Sequence, residues 1–175
     1  MAHSIELLLD ADSDAVIRAQ WQALADAGLP SQLQVKSDTN RPHITLIVAA
    51  RIGPGVDEPL RTLAGRLPFD CVVGAPLVFG GRRHSLARLI VPSAELLAVH
   101  AEVFRIAAPH LTGEPFGHCR PGHWTPHATL GRRYTEAEIG PALGVVDDGR
   151  ADIAARIVGL RRWDSDERVD HLLIG

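Results

Sequence analysis

Lysine is nearly missing from this 175-residue chain: Lys36 is the only one, so arginine carries almost all of the positive charge. The net charge is −3, which argues against a general polyanion binder working through a large positive field. Arginine is the better fork for phosphate, but a GC-rich genome gives the same bias, so the arginines alone assign no function. Aromatic residues make up only 5% of the chain, which leaves a core built from Leu, Val, Ile and Ala. Two cysteines, Cys71 and Cys119, are too few for a disulfide framework, and a reducing cytoplasm is the expected setting. The start, MAHSIELLLDADSD, has a short apolar stretch soon followed by acids, which is no signal peptide. No later stretch is long enough to cross a membrane. No P-loop is present to supply nucleotide-driven chemistry. What remains is an ordinary globular composition, 46% hydrophobic and 22% charged, long enough for one domain with a real core.

Turn and capping residues divide the chain into alternating elements. Ser4 to Leu9 reads as a strand, and Asp12 or Ser13 is placed to cap a helix from Asp14 to Ala27, ended by Gly28 and Pro30. His43 to Ala49 reads as a strand, Asp57 to Leu67 as a helix, and Phe69 to Phe79 with Ser85 to Val91 as a hairpin about Gly80-Gly81-Arg82-Arg83. A helix from Ala94 to about Ala108 shows apolar spacing at Leu96, Val99, Val103 and Ile106. After the irregular segment Thr112 to Thr125 come a strand at His127 to Leu130 and a short helix with Thr135 and Glu138 as its capping box. Two strands, near Ile153 to Trp163 and Val169 to Ile174, close the chain. The second half roughly echoes the first. The expected class is α+β: two pseudo-symmetric lobes of mainly antiparallel sheet, helices outside and a cleft between, in a single domain spanning residues 1–175.

One pentapeptide is written twice, as PHITL at Pro42 to Leu46 and PHATL at Pro126 to Leu130. In a strand, alternate residues share a face. His43 and Thr45 therefore share one face, as do His127 and Thr129, while Ile44, Leu46, Ala128 and Leu130 turn to the other. Each copy is a strand with an apolar back and a front bearing an imidazole and a hydroxyl. Two histidines facing each other across a cleft suit phosphodiester cleavage. With an unperturbed pKa of about 6.5, one ring can be neutral and the other protonated near neutral pH. One takes a proton from the nucleophile and the other gives one to the leaving oxygen. The threonine hydroxyls can donate to the non-bridging oxygens. No metal or other cofactor is required.

These two motifs, His43-Ile44-Thr45-Leu46 and His127-Ala128-Thr129-Leu130, resemble the signature of the 2H phosphoesterase superfamily, especially its bacterial 2'-5' RNA ligase and RNA cyclic phosphodiesterase branch. ELLAVHAEVF (Glu95 to Phe104) resembles that family's central helix, and TPHATLGRR its second motif with a following arginine. The resemblance implies a bilobal fold around a cleft, with His43 and His127 as the acid–base pair and Thr45 and Thr129 holding phosphate. It implies hydrolysis of 2',3'-cyclic phosphate ends of RNA or nucleotides, and ATP-independent 2'-5' ligation by the same site in reverse. Where family members often carry Lys-Phe-Leu-Gly after the first motif, this chain has Ile47-Val48-Ala49-Ala50.

Nearby residues add candidates. Arg132, two positions beyond Leu130, is placed to reach a phosphate oxygen, and Trp124 to stack on a nucleobase. The expected partner is an RNA end or small nucleotide bearing a cyclic phosphate, met by a monomer with no membrane attachment. Two other readings stay open. One is a module that binds nucleotides or RNA ends without turnover. The other is a zinc-dependent hydrolase built on His118, Cys119, His123 and His127, whose spacings lack the tight Cys-x2-Cys pair usual for zinc.

Overall fold

The computed structural model describes residues 2–147 and 152–175. In chain order its elements are β1 (His3–Leu9), α1 (Ala11–Asp26), β2 (His43–Ala49), β3 (Arg51–Ile52), α2 (Asp57–Arg61), β4 (Phe69–Phe79), β5 (His84–Ile90), α3 (Ala94–Ala107), β6 (Leu111–Thr112), β7 (His127–Tyr134), α4 (Glu136–Val146), β8 (Ile153–Asp164) and β9 (Val169–Ile174). Two boundaries differ from expectation for local reasons. Helix α1 starts earlier because Asp10 is its cap: the Asp10 carboxylate accepts from Ser13 N at 3.2 Å and Ser13 Oγ at 2.7 Å. The helix expected over 57–67 is α-helical only through Arg61 and then tightens to a 3₁₀ turn, Thr62–Arg66. Gly65 weakens helix propensity there, and Pro68 ends the segment. The Thr135–Glu138 capping box forms as expected.

Among the described residues every strand pairing is antiparallel. The main sheet runs β2-β1-β8-β4-β5-β7, with β9 also on β8, and β3 and β6 form a separate two-stranded ribbon. Strand β8 joins the lobes. Along one edge its Ile157–Trp163 stretch pairs with β1; along the other, Ile153–Ile157 pairs with β4 and Leu160–Asp164 with β9. The two lobes are thus halves of one continuous sheet. Its end strands β2 and β7 come back into contact with each other.

The helices cross over. Helix α1, which follows β1, packs against β7, β8 and α4, whereas α3, which follows β5, packs against β2 and α2. Each motif strand is therefore backed by a helix from the other half of the chain. The back of β2 contributes Ile44, Leu46 and Ile47 to the core and the back of β7 contributes Ala128 and Leu130, all 0% exposed. Trp21 and Leu24 of α1 with Val99 and Val103 of α3 complete it. Burial of this apolar set, at roughly 25 cal/mol per Å², holds the two polar fronts in fixed relation.

Candidate active site

The repeated pentapeptide folds the same way twice. His43 and Thr45 are half-buried on the cleft face while Ile44 and Leu46 are buried; His127 and Thr129 alternate with Ala128 and Leu130 in the same pattern. Just after each leucine the pairing register slips. Opposite β1, Glu6 faces Thr45 but Ile5 faces Ile47, leaving Leu46 as an extra residue. Opposite β5, Ala87 faces Thr129 but Leu86 faces Gly131, leaving Leu130 extra. Each slip is a β-bulge, which resets which face the later residues take. Strict alternation from His127 would turn Arg132 to the core beside Ala128 and Leu130; the bulge returns it to the cleft, and likewise Val48 in the first lobe. A second irregularity follows at Arg133, whose φ of 71° lies in the left-handed region, and Tyr134 is again buried.

A bulge leaves ladder groups unpaired, and here indoles satisfy them. Trp124 Nε1 donates to Thr45 O at 2.9 Å, and Trp21 Nε1 donates to Thr129 O at 3.0 Å. Each histidine ring is fixed in matching fashion. His43 Nδ1 meets Arg41 O at 2.7 Å and His127 Nδ1 meets Thr125 O at 2.7 Å. A carbonyl only accepts, so each Nδ1 carries the hydrogen and each Nε2 is left for chemistry. The proline of the motif bears on this contact, because the residue before proline is biased to extended backbone. Arg41 and Thr125 are those residues.

Both motifs line one cavity of about 740 Å³. His43, Thr45, His127, Thr129, Arg132 and Trp124 all contribute to its wall. Trp124 has a structural share in this wall: one ring face stacks on His100 at 4.0 Å and 5° between planes, besides its hydrogen bond to Thr45 O. His100 is itself buried, with Nε2 2.9 Å from Cys119 O, and burial lowers its pKa.

Residues that no sequence signal marked complete the wall, and with Arg132 and the two threonines they fall into matching rows across the sheet. From Val48 a row runs to Ser4 and on to Trp163; from Arg132 the equivalent row runs to Ser85 and on to Phe79. All six line the cavity. A second pair of rows differs sharply: Thr45–Glu6–Arg161 in one lobe, Thr129–Ala87–Leu77 in the other. Glu6 is 5% exposed. It accepts from Ser4 Oγ at 2.6 Å and Arg161 Nε at 2.8 Å, and its Oε1 lies 3.6 Å from His43 Nε2. Burial pulls its pKa up, but the charges of His43 and Arg161 and these hydrogen bonds outweigh burial and leave it below the usual carboxylate value. Only the pattern IEL beginning a strand could have pointed to Glu6, and a glutamate in a strand carries no such message alone.

His127 stands in the opposite environment. The Phe79 ring packs 4.6 Å from it. Its pKa is lowered, first by burial, further by the positive charges of Arg132, His43 and His118, and against the hydrogen bond to Thr125 O. The site therefore holds one imidazole beside a buried carboxylate and another against an apolar ring and cations.

The His118–Cys119–His123–His127 segment brings all four residues to the cavity wall; Cys119 is nonetheless buried, and burial raises its thiol pKa. Among the described residues, sets of three or more potential metal ligands within 4.8 Å of each other occur at His3–Asp164–Asp166 and Asp164–Glu167–His171, and neither includes a residue of that segment.

With this geometry in view, comparison with known proteins places the chain. The family model of the 2'-5' RNA ligase superfamily matches residues 13–168, and the chain belongs to that family. Among solved structures, E. coli LigT in apo form shares 17% identity over 99% of this chain and 94% of its own, with a TM-score of 0.56. Kluyveromyces marxianus Usb1 shares 13% over 99% and 98%, with a TM-score of 0.52. LigT has also been solved with 3'-AMP, at 18% identity, 99% and 94% coverage and a TM-score of 0.57. These likenesses establish the shared fold. No curated protein sequence matches the chain.

Proposed function

From membership of the 2'-5' RNA ligase superfamily, we propose that this protein is a metal-independent phosphoesterase that hydrolyses 2',3'-cyclic phosphate ends of RNA or nucleotides. The observation that carries the reading is the matched pair of rings, each with Nδ1 tied to a backbone carbonyl 2.7 Å away and Nε2 left for proton transfer. Neighbours of the same fold support a nucleotide ligand, since LigT is solved with 3'-AMP and Usb1 with uridine monophosphate.

The unlike surroundings support one division of roles. His127, whose pKa burial lowers, takes a proton from water through Nε2 as the water oxygen attacks phosphorus. The bond from phosphorus to one ribose oxygen breaks. His43, with the Glu6 carboxylate as counter-charge at 3.6 Å, gives its Nε2 proton to that oxygen. The product is a phosphomonoester beside a free hydroxyl. Thr45 and Thr129 donate to the non-bridging oxygens, where charge gathers, and Arg132 supplies the cation. Trp163 and Phe79 offer ring faces to a base or ribose. With a 5'-hydroxyl in place of water, the same steps join two ends through a 2'-5' linkage.

The test is hydrolysis of 2',3'-cyclic mononucleotides and of a cyclic-phosphate-ended oligonucleotide, with and without EDTA. Turnover that resists EDTA and falls by about 10²–10⁴ in each of His43→Ala and His127→Ala is the expected result. Nucleotide binding without turnover would instead identify a recognition module, and loss on chelation a metal-dependent hydrolase.

A further inference from the structure

A carboxylate is an unexpected lining for a phosphate cleft. Glu6 is fixed there: 5% exposed, bonded to Ser4 and Arg161 and 3.6 Å from the catalytic nitrogen of His43. Its charge is not cancelled by its arginine. Arg161 is 4% exposed and shared: besides Glu6 it donates to Asp170 Oδ2 at 2.9 Å and to Thr39 O at 2.9 Å. Two carboxylates share one guanidinium, and the second cation facing Glu6 is the proton-bearing His43 of the proposed reaction, 3.6 Å away. The charged and polar groups around Glu6 are thus Ser4 on its own strand, His43 on β2, Arg161 on β8 and, through Arg161, Asp170 on β9. The other lobe has Ala87 at the matching place, so the device exists once.

We infer that Glu6 is a specificity residue that discriminates between phosphate charges, admitting a monoanionic phosphodiester and weakening the hold on a dianionic phosphomonoester. The inference rests on the cleft being the phosphate site proposed above. A cyclic or linear diester carries one negative charge. A phosphomonoester, with a second pKa of about 6, approaches two at neutral pH. Arg132 and the imidazoles attract both. The buried Glu6 charge opposes a dianion about twice as strongly as a monoanion, because repulsion scales with the ligand's charge, and the cleft screens it less than bulk water does. The consequence is substrate selection and easier release of the ring-opened product.

The experiment compares a 2'-deoxynucleoside 3'-monophosphate with its methyl ester, neither of which can cyclise. Their Kd values are measured by calorimetry at pH 8 for the wild-type protein and Glu6→Gln. In wild type the two ligands bind within about fivefold of each other. In Glu6→Gln the monoester gains about tenfold relative to the ester. A wild-type preference for the monoester beyond about fivefold overturns the inference, as does a Glu6→Gln change that moves both ligands equally. If the variant does not fold by circular dichroism, the wild-type ratio alone decides. The readout is binding, so a protein that failed to turn over cyclic phosphates would still return this ratio and leave the two readings separately judged.

Discussion

Across the sheet from Thr45 the chain places Glu6 and then Arg161; across from Thr129 it places Ala87 and then Leu77. Five residues beyond His43 stands Val48, and five beyond His127 stands Arg132, both turned to the cleft by the same bulge. The two lobes share a backbone device and differ in its neighbours. The shared part presents two imidazoles through Nε2. The unshared part makes those imidazoles unlike, which a reaction with one proton acceptor and one proton donor requires. Two copies of the motif alone would give two equal histidines; their unlike surroundings come from the residues on adjacent strands.

The comparison can be broken most forcefully at the bulge. Position four after the histidine is Ile47 in the first lobe and Gly131 in the second, and both face inward. A Cβ on Gly131 would run into the Pro30 carbonyl oxygen and the Tyr134 hydroxyl, a pair that are themselves hydrogen-bonded. Gly131→Ala is expected to cost about 3 kcal/mol from overpacking, whereas Ile47→Val costs about 1 kcal/mol. Urea unfolding midpoints of both variants measure the difference. Equal costs would mean that the two bulges are packed alike.

A smaller effect is expected at the odd cation. Arg132→Val gives the second lobe the residue of the first and should raise KM for a cyclic phosphate about tenfold, the loss of one charge-assisted contact. Steady-state kinetics reads it, and an unchanged KM would remove Arg132 from phosphate binding. The smallest effect is in pH dependence. In its proposed role as base His127 must be neutral, so activity is expected to hold above its pKa and fall as pH drops through it. Because burial lowers that pKa, the acid limb of kcat/KM should lie below 6.5, the ordinary histidine value. Phe79→Ser, which opens the apolar wall, should move the limb up toward that value. A limb that stays put would show that Phe79 does not supply the burial.

Much of the fold was legible locally. β-Branched strands, the Thr135–Glu138 cap and the helical spacing of α3 are short-range patterns, and each formed nearly where it was read. Boundaries failed where two local signals competed, as with Asp10 against Asp12 or Ser13 at the start of α1. The histidines and threonines of the site were legible because a repeated motif on alternating strand positions survives without knowledge of pairing. Glu6, Ser4, Ser85, Phe79 and Trp163 were not, since each reaches the cleft only through its register against another strand. Trp124 was legible as an aromatic near the motif. Its hydrogen bond to Thr45 O and its stack on His100 were not, because both partners are distant in the chain.

By itself the sequence determined the two halves of the candidate site: a histidine and a threonine sharing a face opposite an apolar back, written twice. Alternation along a strand is a local property of the backbone, and the motif writes it directly. Only the tertiary structure decided how the halves differ. The long strand β8 brings Arg161 beside Glu6, the two bulges turn Val48 and Arg132 toward the cleft, and the end strands of one curled sheet meet to close it. Those decisions depend on strand register and on packing between segments far apart in the chain, where no local pattern can write them.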